Sequence, residues 1–295
     1  MTVSVIIPNL HSPMVRRTLN SIHGQVSRLA DTEIIVVGMD RHNLVEENGW
    51  VTFVRTDQPV CAAAARNKGI ARARGDVLVF LDADCIAASN WLTHLLAYFE
   101  DPGVDVVVGA IDFPADNYWT LCDNISTFYP WLPSSRPGNR LYAPTLNLAV
   151  RRSVIQTVGM MDESFPGAAG EDIDWTLRIR KAGYTIRFAP DVIVEHHPDR
   201  NTFGKLLSRS HIFGANMIKV HHRYPDQIPQ PFFHKHPLWL AILAPLLALG
   251  VTAKIYLSNR ALWKYWYTIP AVFAAKVAWR VGGVYQMLQG GGGTP

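Results

Sequence analysis

The segment that most constrains the fold is Asp-Val-Leu-Val-Phe-Leu-Asp-Ala-Asp at residues 76–84. Five consecutive apolar residues, 77–81, are typical of a strand buried on both faces, as in a parallel sheet. Ligands of open α/β sheets gather outside the carboxyl ends of such strands, so Asp82 and Asp84 are expected at a binding edge. Two carboxylates this close need a cation or hydrogen bonds to compensate their charges. An Asp-x-Asp on its own more often only ends a strand and begins a turn, so its meaning depends on the surrounding segments.

Those segments alternate between strand and helix patterns. Strands are predicted at residues 3–8, 33–37, 51–55, 76–82 and 104–111. Helices are predicted at residues 12–26, 61–74, 89–100, 173–181 and 202–222. The alternation predicts an α/β fold, Rossmann-like, with a mostly parallel central sheet flanked by helices. Ser12 is expected to cap the first helix, and residues 112–145 are expected to form an irregular binding segment.

The turn after the first strand excludes one class of α/β enzyme. Pro8-Asn9-Leu10-His11 stands where a dinucleotide-binding protein has Gly-x-Gly-x-x-Gly. The missing glycines argue against a dinucleotide-dependent oxidoreductase.

Several motifs in a fixed order resemble the core signature of inverting, family 2 glycosyltransferases with a GT-A fold. In chain order they are Ala-Arg-Asn-Lys-Gly-Ile at 65–70, Asp-Ala-Asp at 82–84, Asn-Leu-Ala-Val-Arg-Arg at 147–152, Val-Gly-Met-Met-Asp-Glu at 158–163, Gly-Glu-Asp-Ile-Asp-Trp at 170–175 and His-His at 196–197. The resemblance runs from about residue 3 to about residue 214. Such a set is far more specific than an Asp-x-Asp alone.

The resemblance implies a nucleotide-diphosphate donor, a UDP- or GDP-sugar. It places the base and ribose near the turn of Pro8 and Asn9, and near an acid after the second strand. That acid is normally adjacent to the strand, whereas here Asp40 follows two residues later, and Asp40 is equally well explained as a turn residue. Arg66 and Asn67 match the base- and phosphate-side contacts of the family. An arginine suits phosphate, but both side chains could also belong to a solvated helix face.

The resemblance also implies a divalent cation, Mn or Mg, at the donor diphosphate. Asp82, Ala83 and Asp84 would contact the donor, with Asp84, Asp82 and His196 as metal ligands. Imidazole together with carboxylates suits manganese as well as magnesium. His197 competes with His196 for this role.

Two acids at the start of the predicted helix 173–181 are the candidate catalytic residues. Inverting glycosyl transfer needs a carboxylate that accepts the proton of the attacking hydroxyl. The resemblance assigns this role to Asp172, with Glu171 orienting it or binding acceptor, while the alternative is simple helix capping. Arg209, on the helix 202–222, would neutralise the leaving diphosphate unless it only lies on a solvated face.

The C-terminal region has its own composition. The net charge is +4, yet residues 229–295 carry six Lys or Arg and no Asp or Glu. A basic, apolar region favours a membrane surface over nucleic acid, for which no motif is present. We therefore predict a GT-A domain at residues 1–228, membrane-associating helices at 229–288 and a flexible tail at 289–295.

How that region meets the membrane is open at this stage. Residues 237–253 form an uncharged run of 17, short of the roughly 20 residues that a bilayer core needs. Residues 262–288 combine tryptophans with Lys264, Lys276 and Arg280, which is typical of the membrane interface. The alternatives are a spanning helix followed by an interfacial one, two interfacial helices, or a soluble helical subdomain.

Together these patterns predict a membrane-associated inverting glycosyltransferase whose catalytic domain is cytoplasmic. The acceptor hydroxyl would belong to a glycan or a lipid-linked molecule. A cytoplasmic location agrees with two features of the sequence. The N-terminus shows no secretory pattern, and the number of cysteines is odd, so we interpret them as reduced. The alternatives are a nucleotidyltransferase of related fold, a polymerase-like synthase, and a non-catalytic membrane scaffold that binds sugar nucleotides.

Overall fold

The structure, a computed structural model, describes residues 1–29, 31–165, 169–229, 231–234 and 236–290. The chain divides into two units, which we describe separately. The first unit contains residues 1–112 and 131–197, and the second contains residues 113–130 and 198 onward.

The first unit is built on a nine-stranded mixed sheet. Its strands are β1 (Val3–Leu10), β2 (Thr32–Met39), β3 (Val51–Arg55), β4 (Val77–Leu81), β5 (Cys85–Ala87), β6 (Val106–Asp112), β7 (Gly138–Arg140), β8 (Asn147–Arg151) and β9 (Ile186–His196). Their order is β3-β2-β1-β4-β8-β6-β9-β5, with β7 also paired to β9. β1, β2, β3 and β4 form the parallel half, and β8 runs antiparallel to both β4 and β6. The predicted α/β class with a GT-A-like sheet is confirmed.

Nine helices are described across the two units. They are α1 (Val15–Val26), α2 (Ala62–Arg72), α3 (Trp91–Tyr98), α4 (Tyr118–Phe128), α5 (Arg152–Val158), α6 (Glu171–Lys181), α7 (Phe203–Arg223), α8 (Pro237–Ser258) and α9 (Ile269–Gly290). Short 3₁₀ segments lie at Tyr129–Trp131, Phe232–His234 and Arg260–Thr268.

Strand β4 is the centre of the first unit's core. All five of its side chains are fully buried, between β1 on one side and β8 on the other. Burying each such Val, Leu or Phe side chain contributes about 1.5–3 kcal/mol, which fixes the strand's register and hence the position of the acids that follow it. Helix α2 packs against β1 through Gly69, where a Cβ would lie 2.4 Å from Ile6 Cγ2.

Strand β9 carries a bulge where it pairs with β6. Ala189 lies opposite Gly109, but the next partner, opposite Ala110, is Ile193. Residues 190–192 are therefore extra, as expected of a bulge that contains a proline. The buried side chain of Asn147 donates to the carbonyls of Ala110 and Val192, both at 2.9 Å, and so holds the bulge in place.

Two local predictions were wrong. Helix α1 begins at Val15 with Met14 at its N-cap, so Ser12 is not the cap. The Ser12 hydroxyl instead donates to the Ala83 carbonyl at 3.0 Å. The supposedly irregular segment 112–145 contains helix α4, whose N-cap Asn117 accepts from two backbone N–H groups.

The second unit consists of helices. Helix α9 packs against α4, α7 and α8. Among the described residues, α8 is the one helix long and apolar enough to cross a bilayer, with a mean hydropathy of 2.0 over its most apolar window. Since α4 and α7 group with α8 and α9, the predicted division after residue 228 stays a prediction. Of the predicted tail at 289–295, residues 289–290 belong to α9, and 291–295 lie outside the described residues.

Candidate active site

The turn that follows β4 presents two carboxylates at the edge of the sheet. Its backbone is held from several sides, because the Asp82 N–H donates to the Leu146 carbonyl and the His197 N–H donates to the Asp84 carbonyl at 2.8 Å. The Ser12 hydroxyl holds the Ala83 carbonyl between them. The side chains of Asp82 and Asp84 are each 28% exposed, so both reach a surface on which a ligand can bind.

A buried arginine joins this turn to the start of α6. The Arg66 guanidinium donates to Asp82 Oδ1 at 2.7 Å and to Glu171 Oε1 at 3.2 Å. Burial alone would lower the pKa of Arg66, but the Asp82 and Glu171 carboxylates outweigh it and raise that pKa. Arg66 therefore stays charged and links the carboxylate turn after β4 to the acids at the start of α6.

Three acids lie in the first turn of α6, and their surroundings differ. Glu171 and Asp174 are buried, and Asp174 accepts from Arg178 Nε at 3.1 Å. Asp172 is partly exposed, and its Oδ1 accepts from the Ile173 N–H at 2.8 Å. All three are favoured by the positive end of the helix dipole. Of the three, Asp172 has the most exposed side chain.

Strand pairing brings a histidine to the Asp84 carboxylate. β5 pairs antiparallel with β9 so that Cys85 lies opposite His196, and His196 Nε2 is 3.8 Å from Asp84 Oδ1. That separation is too long for a hydrogen bond, but two ligands about 2.1 Å from one cation can span it. The donor set, one carboxylate and one imidazole, fits a hard or borderline cation such as Mg²⁺ or Mn²⁺.

The neighbouring candidates are engaged elsewhere. His197 Nε2 lies 2.5 Å from Glu195 Oε1, whereas His196 Nε2 lies 3.8 Å from Asp84 Oδ1. Asp82 is paired with Arg66, and its predicted place among the metal ligands stays a prediction.

Cys85 is a residue that the sequence did not single out. Its thiol, Asp84 and His196 have potential ligand atoms within 4.8 Å of one another. Burial, together with Asp84 and Asp82, raises the pKa of the Cys85 thiol well above its ordinary value. The signal was absent from the sequence because it depends on the pairing of β5 with a strand about 110 residues away.

The predicted nucleotide-side residues have protein partners. Pro8 is half-buried in β1, and the buried Asn9 donates to the Met39 carbonyl at 3.0 Å. The Asp40 carboxylate accepts from the N–H groups of His42, Leu44 and Val45, so it organises its own loop. These contacts support the turn interpretation of Asp40, while its contact with a nucleotide stays a prediction.

Asn67 and Arg209 are placed differently from Arg66. The Asn67 amide donates to the Met161 carbonyl at 2.9 Å and to Glu163 Oε1 at 2.8 Å. It also accepts from the Met161 N–H, so it anchors the chain that follows α5. Arg209 lies on α7 in the second unit, with its guanidinium 5.1 Å from the Phe213 ring centre. Contact of either with a donor remains a prediction.

Comparison with known proteins agrees with this geometry. Residues 4–158 match the model of glycosyl transferase family 2. Glycosyltransferase AglE of Haloferax volcanii is 32% identical over 74% of this chain and 73% of its own length. The pre-mycofactocin glycosyltransferase of Mycobacterium tuberculosis is 28% identical over 76% of this chain, which spans about half of that relative (48%).

A solved structure shows the same fold. The mannosyltransferase PcManGT of Pyrobaculum calidifontis, in complex with GDP-Man and Mn²⁺, superimposes with a TM-score of 0.56 at 18% identity, covering 92% of this chain and 85% of that one. The family match and the similarity to AglE together decide the assignment. The chain belongs to glycosyltransferase family 2 and has the GT-A fold.

Proposed function

We propose that this glycosyltransferase moves a sugar, with inversion, from a UDP- or GDP-sugar to an acceptor hydroxyl. The observation that carries the proposal is the ion-paired Arg66, which fixes the Asp82 end of β4 against the Glu171 end of α6. In this proposal, the carboxylates of the donor side and the acids of the acceptor side would thereby be held at one site. Such fixed geometry is what makes positioned proton transfer effective.

In the proposed reaction, Asp172 accepts the proton of the acceptor hydroxyl. The acceptor oxygen forms a bond to the anomeric carbon while the bond from that carbon to the diphosphate oxygen breaks, and the nucleoside diphosphate leaves. Glu171 is the weaker candidate for the base because it is buried and paired with Arg66. Its proposed role is to hold the start of α6, and with it Asp172.

Asp84 and His196 are the residues that would hold a divalent cation. When bound, that cation would offset the negative charge of the departing diphosphate. Asp84→Ala is expected to abolish transfer with little change in the free energy of unfolding, because the carboxylate lies at the sheet edge rather than in the core. Near-normal transfer by Asp84→Ala in the presence of a chelator would contradict the metal assignment.

We also propose that the protein is associated with a membrane, with the first unit, which we call the catalytic unit, on the cytoplasmic side. The acceptor in this proposal is lipid-linked. The support is α8, long and apolar with only 28% of its most apolar window buried, within a region that has six basic and no acidic residues. A glycan acceptor at the membrane surface is the alternative.

The deciding experiment compares Asp172→Asn with wild type. Nucleoside diphosphate release is measured across a panel of UDP- and GDP-sugars with membrane extract as acceptor, and donor binding is measured by calorimetry. Turnover is expected to fall about a hundredfold or more while donor affinity is retained. Glu46→Gln removes a carboxylate from an exposed ion pair and serves as the control.

Other outcomes identify the alternatives. An equal loss of turnover and donor affinity in Asp172→Asn would make Asp172 a donor ligand or a structural cap. Donor binding by wild type without any diphosphate release would indicate a scaffold. Pyrophosphate release from a nucleoside triphosphate and a sugar phosphate would indicate a nucleotidyltransferase.

A further inference from the structure

Helix α8 exposes large apolar side chains along most of its length, while small side chains are buried in its middle. The side chains buried in the middle of α8 are small, namely Ala244, Ala248 and Thr252, whereas the larger Leu240, Ile255 and Tyr256 are buried towards its two ends. Large apolar side chains point outward, among them Leu246 at 66% and Leu257 at 74% exposed. We call the exposed residues Leu238, Ile242, Leu246, Leu249 and Leu257 the leucine face. Small residues at helix contacts with large ones outside are typical of helices whose solvent is lipid.

Basic and aromatic residues adjoin one end of the leucine face. The 3₁₀ segment Arg260–Thr268 follows α8, and both Trp263 and Trp266 are exposed. The Arg260 guanidinium lies 5.8 Å from the Trp263 ring centre, and Lys264 Nζ lies 4.7 Å from that of Tyr265. Tryptophan beside Lys and Arg marks the headgroup level of a bilayer. With no acidic residue after position 228, this surface is complementary to anionic headgroups.

The helices packed behind α8 carry charges that would not suit the hydrocarbon core. α9 packs directly on α8, and its Lys276 donates to the Ser126 carbonyl of α4. Asp123 of α4 pairs with Arg200 at 2.7 Å. A spanning α8 would carry α9 and α4 into the bilayer with these groups, whereas charged side chains in hydrocarbon are costly. At about 1.5 Å per residue, α8 is roughly 33 Å long, so its length alone does not discriminate.

We infer that α8 lies in the plane of one anionic leaflet, with the leucine face in the acyl region and Arg260–Thr268 at the headgroups, and that it does not cross the bilayer. The inference rests on the proposed membrane association and specifies its geometry. The chain on both sides of α8 then stays on the side of the catalytic unit.

The first arm of the test measures binding of the full chain to sealed vesicles of phosphatidylcholine, with and without 30% phosphatidylglycerol. Leu246→Asp/Leu249→Asp is expected to weaken binding at least tenfold. Ile212→Asp adds one such charge at an exposed apolar position of α7 and is expected to leave binding unchanged. Failure of wild type to bind vesicles would overturn both the inference and the proposed membrane association. Wild-type self-association that the leucine variant abolishes, without vesicle binding, would instead assign the face to a second copy.

The second arm tests the orientation by itself. Ser258→Cys, at the end of α8, is reacted with a membrane-impermeant maleimide after the protein has been added to preformed vesicles, against wild type as background. Cys85 and Cys122 are buried in wild type, so that background comes from Cys61. Labelling of Cys-substituted Ser258 from outside is expected without detergent. Labelling that needs detergent would show that α8 crosses the bilayer, which overturns the inference while leaving membrane association intact. Donor binding is measured separately, so that either labelling result can be distinguished from a failure of the proposed sugar-transfer function.

Discussion

Replacement of Arg66 by alanine is expected to destabilise the first unit by about 3–5 kcal/mol, the usual cost of removing one partner from a buried ion pair. The substitution leaves the Glu171 carboxylate buried, with a side-chain exposure of 3%, and without its guanidinium. Asp82 loses the same partner but is 28% exposed, so water can replace part of that interaction. Most of the loss is therefore expected to come from the Glu171 side of the pair.

The magnitude can be checked against a matched pair on the surface. Arg16 and Glu46 are joined at 2.9 Å but are 49% and 77% exposed, so Arg16→Ala should cost about 0–1 kcal/mol. Since 1 kcal/mol shifts the Tm of a domain of 150–250 residues by about 2–4 °C, Arg66→Ala should lower the Tm by roughly 6–20 °C. Thermal unfolding followed by near-ultraviolet circular dichroism in detergent would measure both.

A double substitution separates the lost pair from lost packing. Arg66→Met/Glu171→Met replaces both charges by apolar groups of similar size and is expected to regain most of the stability lost by Arg66→Ala. It should not regain sugar transfer, because the start of α6 is no longer fixed to Asp82. The reasoning is refuted if Arg66→Ala is no less stable than Arg16→Ala, or if the effects of Arg66→Met and Glu171→Met simply add.

Three further predictions use matched variants. His196→Ala should weaken Mn²⁺ binding by roughly 10- to 100-fold or more in calorimetry, since the loss of a residue that merely hydrogen-bonds to a metal ligand already costs that much. His197→Ala, which removes the contact with Glu195, should leave Mn²⁺ binding unchanged, and equal effects of the two variants would exclude His196 as the preferred ligand. Gly214→Ala should lower the Tm, because its Cβ would lie 1.8 Å from the Trp279 carbonyl oxygen. Gly204→Ala on the same helix meets nothing within 4 Å and should be neutral or stabilising by up to about 1 kcal/mol, and the same Tm for both variants would contradict the close packing of α7 on α9. Burial, reinforced by Arg280, lowers the pKa of Lys276 from 10.5 to about 8, so between pH 8 and 10.5 the unfolded state binds more protons than the folded state and the free energy of unfolding should rise with pH. Chemical denaturation of Lys276→Met should show a smaller rise than wild type, and an unchanged rise would exclude Lys276 as its source.

The parts of the fold that could be predicted from sequence are those encoded by local pattern. The apolar run of β4 predicted that the strand is buried on both faces, and the alternation of strands and helices predicted the α/β fold class. Helix α4 was missed because its mixture of aromatic, β-branched and polar residues has weak helix propensity. The capping signal of Asn117 was present in the sequence and was not used.

The candidate site was predictable as a set of residues but not as a set of contacts. Sequence motifs placed Arg66, Asp82 and Glu171 in one family signature, yet their ion pairs join positions 16 and 105 residues apart. Local pattern contains no information on which donor faces which acceptor across such distances. Cys85 was overlooked for the same reason, since only the register of β5 on β9 brings it beside His196.

The bulge in β9 bears on which residue of that strand pairs with Cys85 of β5. Residues 190–192 separate the fixed partner Ala189 from the segment that ends opposite Cys85. If the loss of one bulge residue moved this register by one position, His197 would take the place of His196, and the gain of one residue would likewise bring Glu195 there. All three side chains carry a nitrogen or oxygen that binds divalent cations. A side chain able to bind a divalent cation would therefore still lie beside Asp84 after either change.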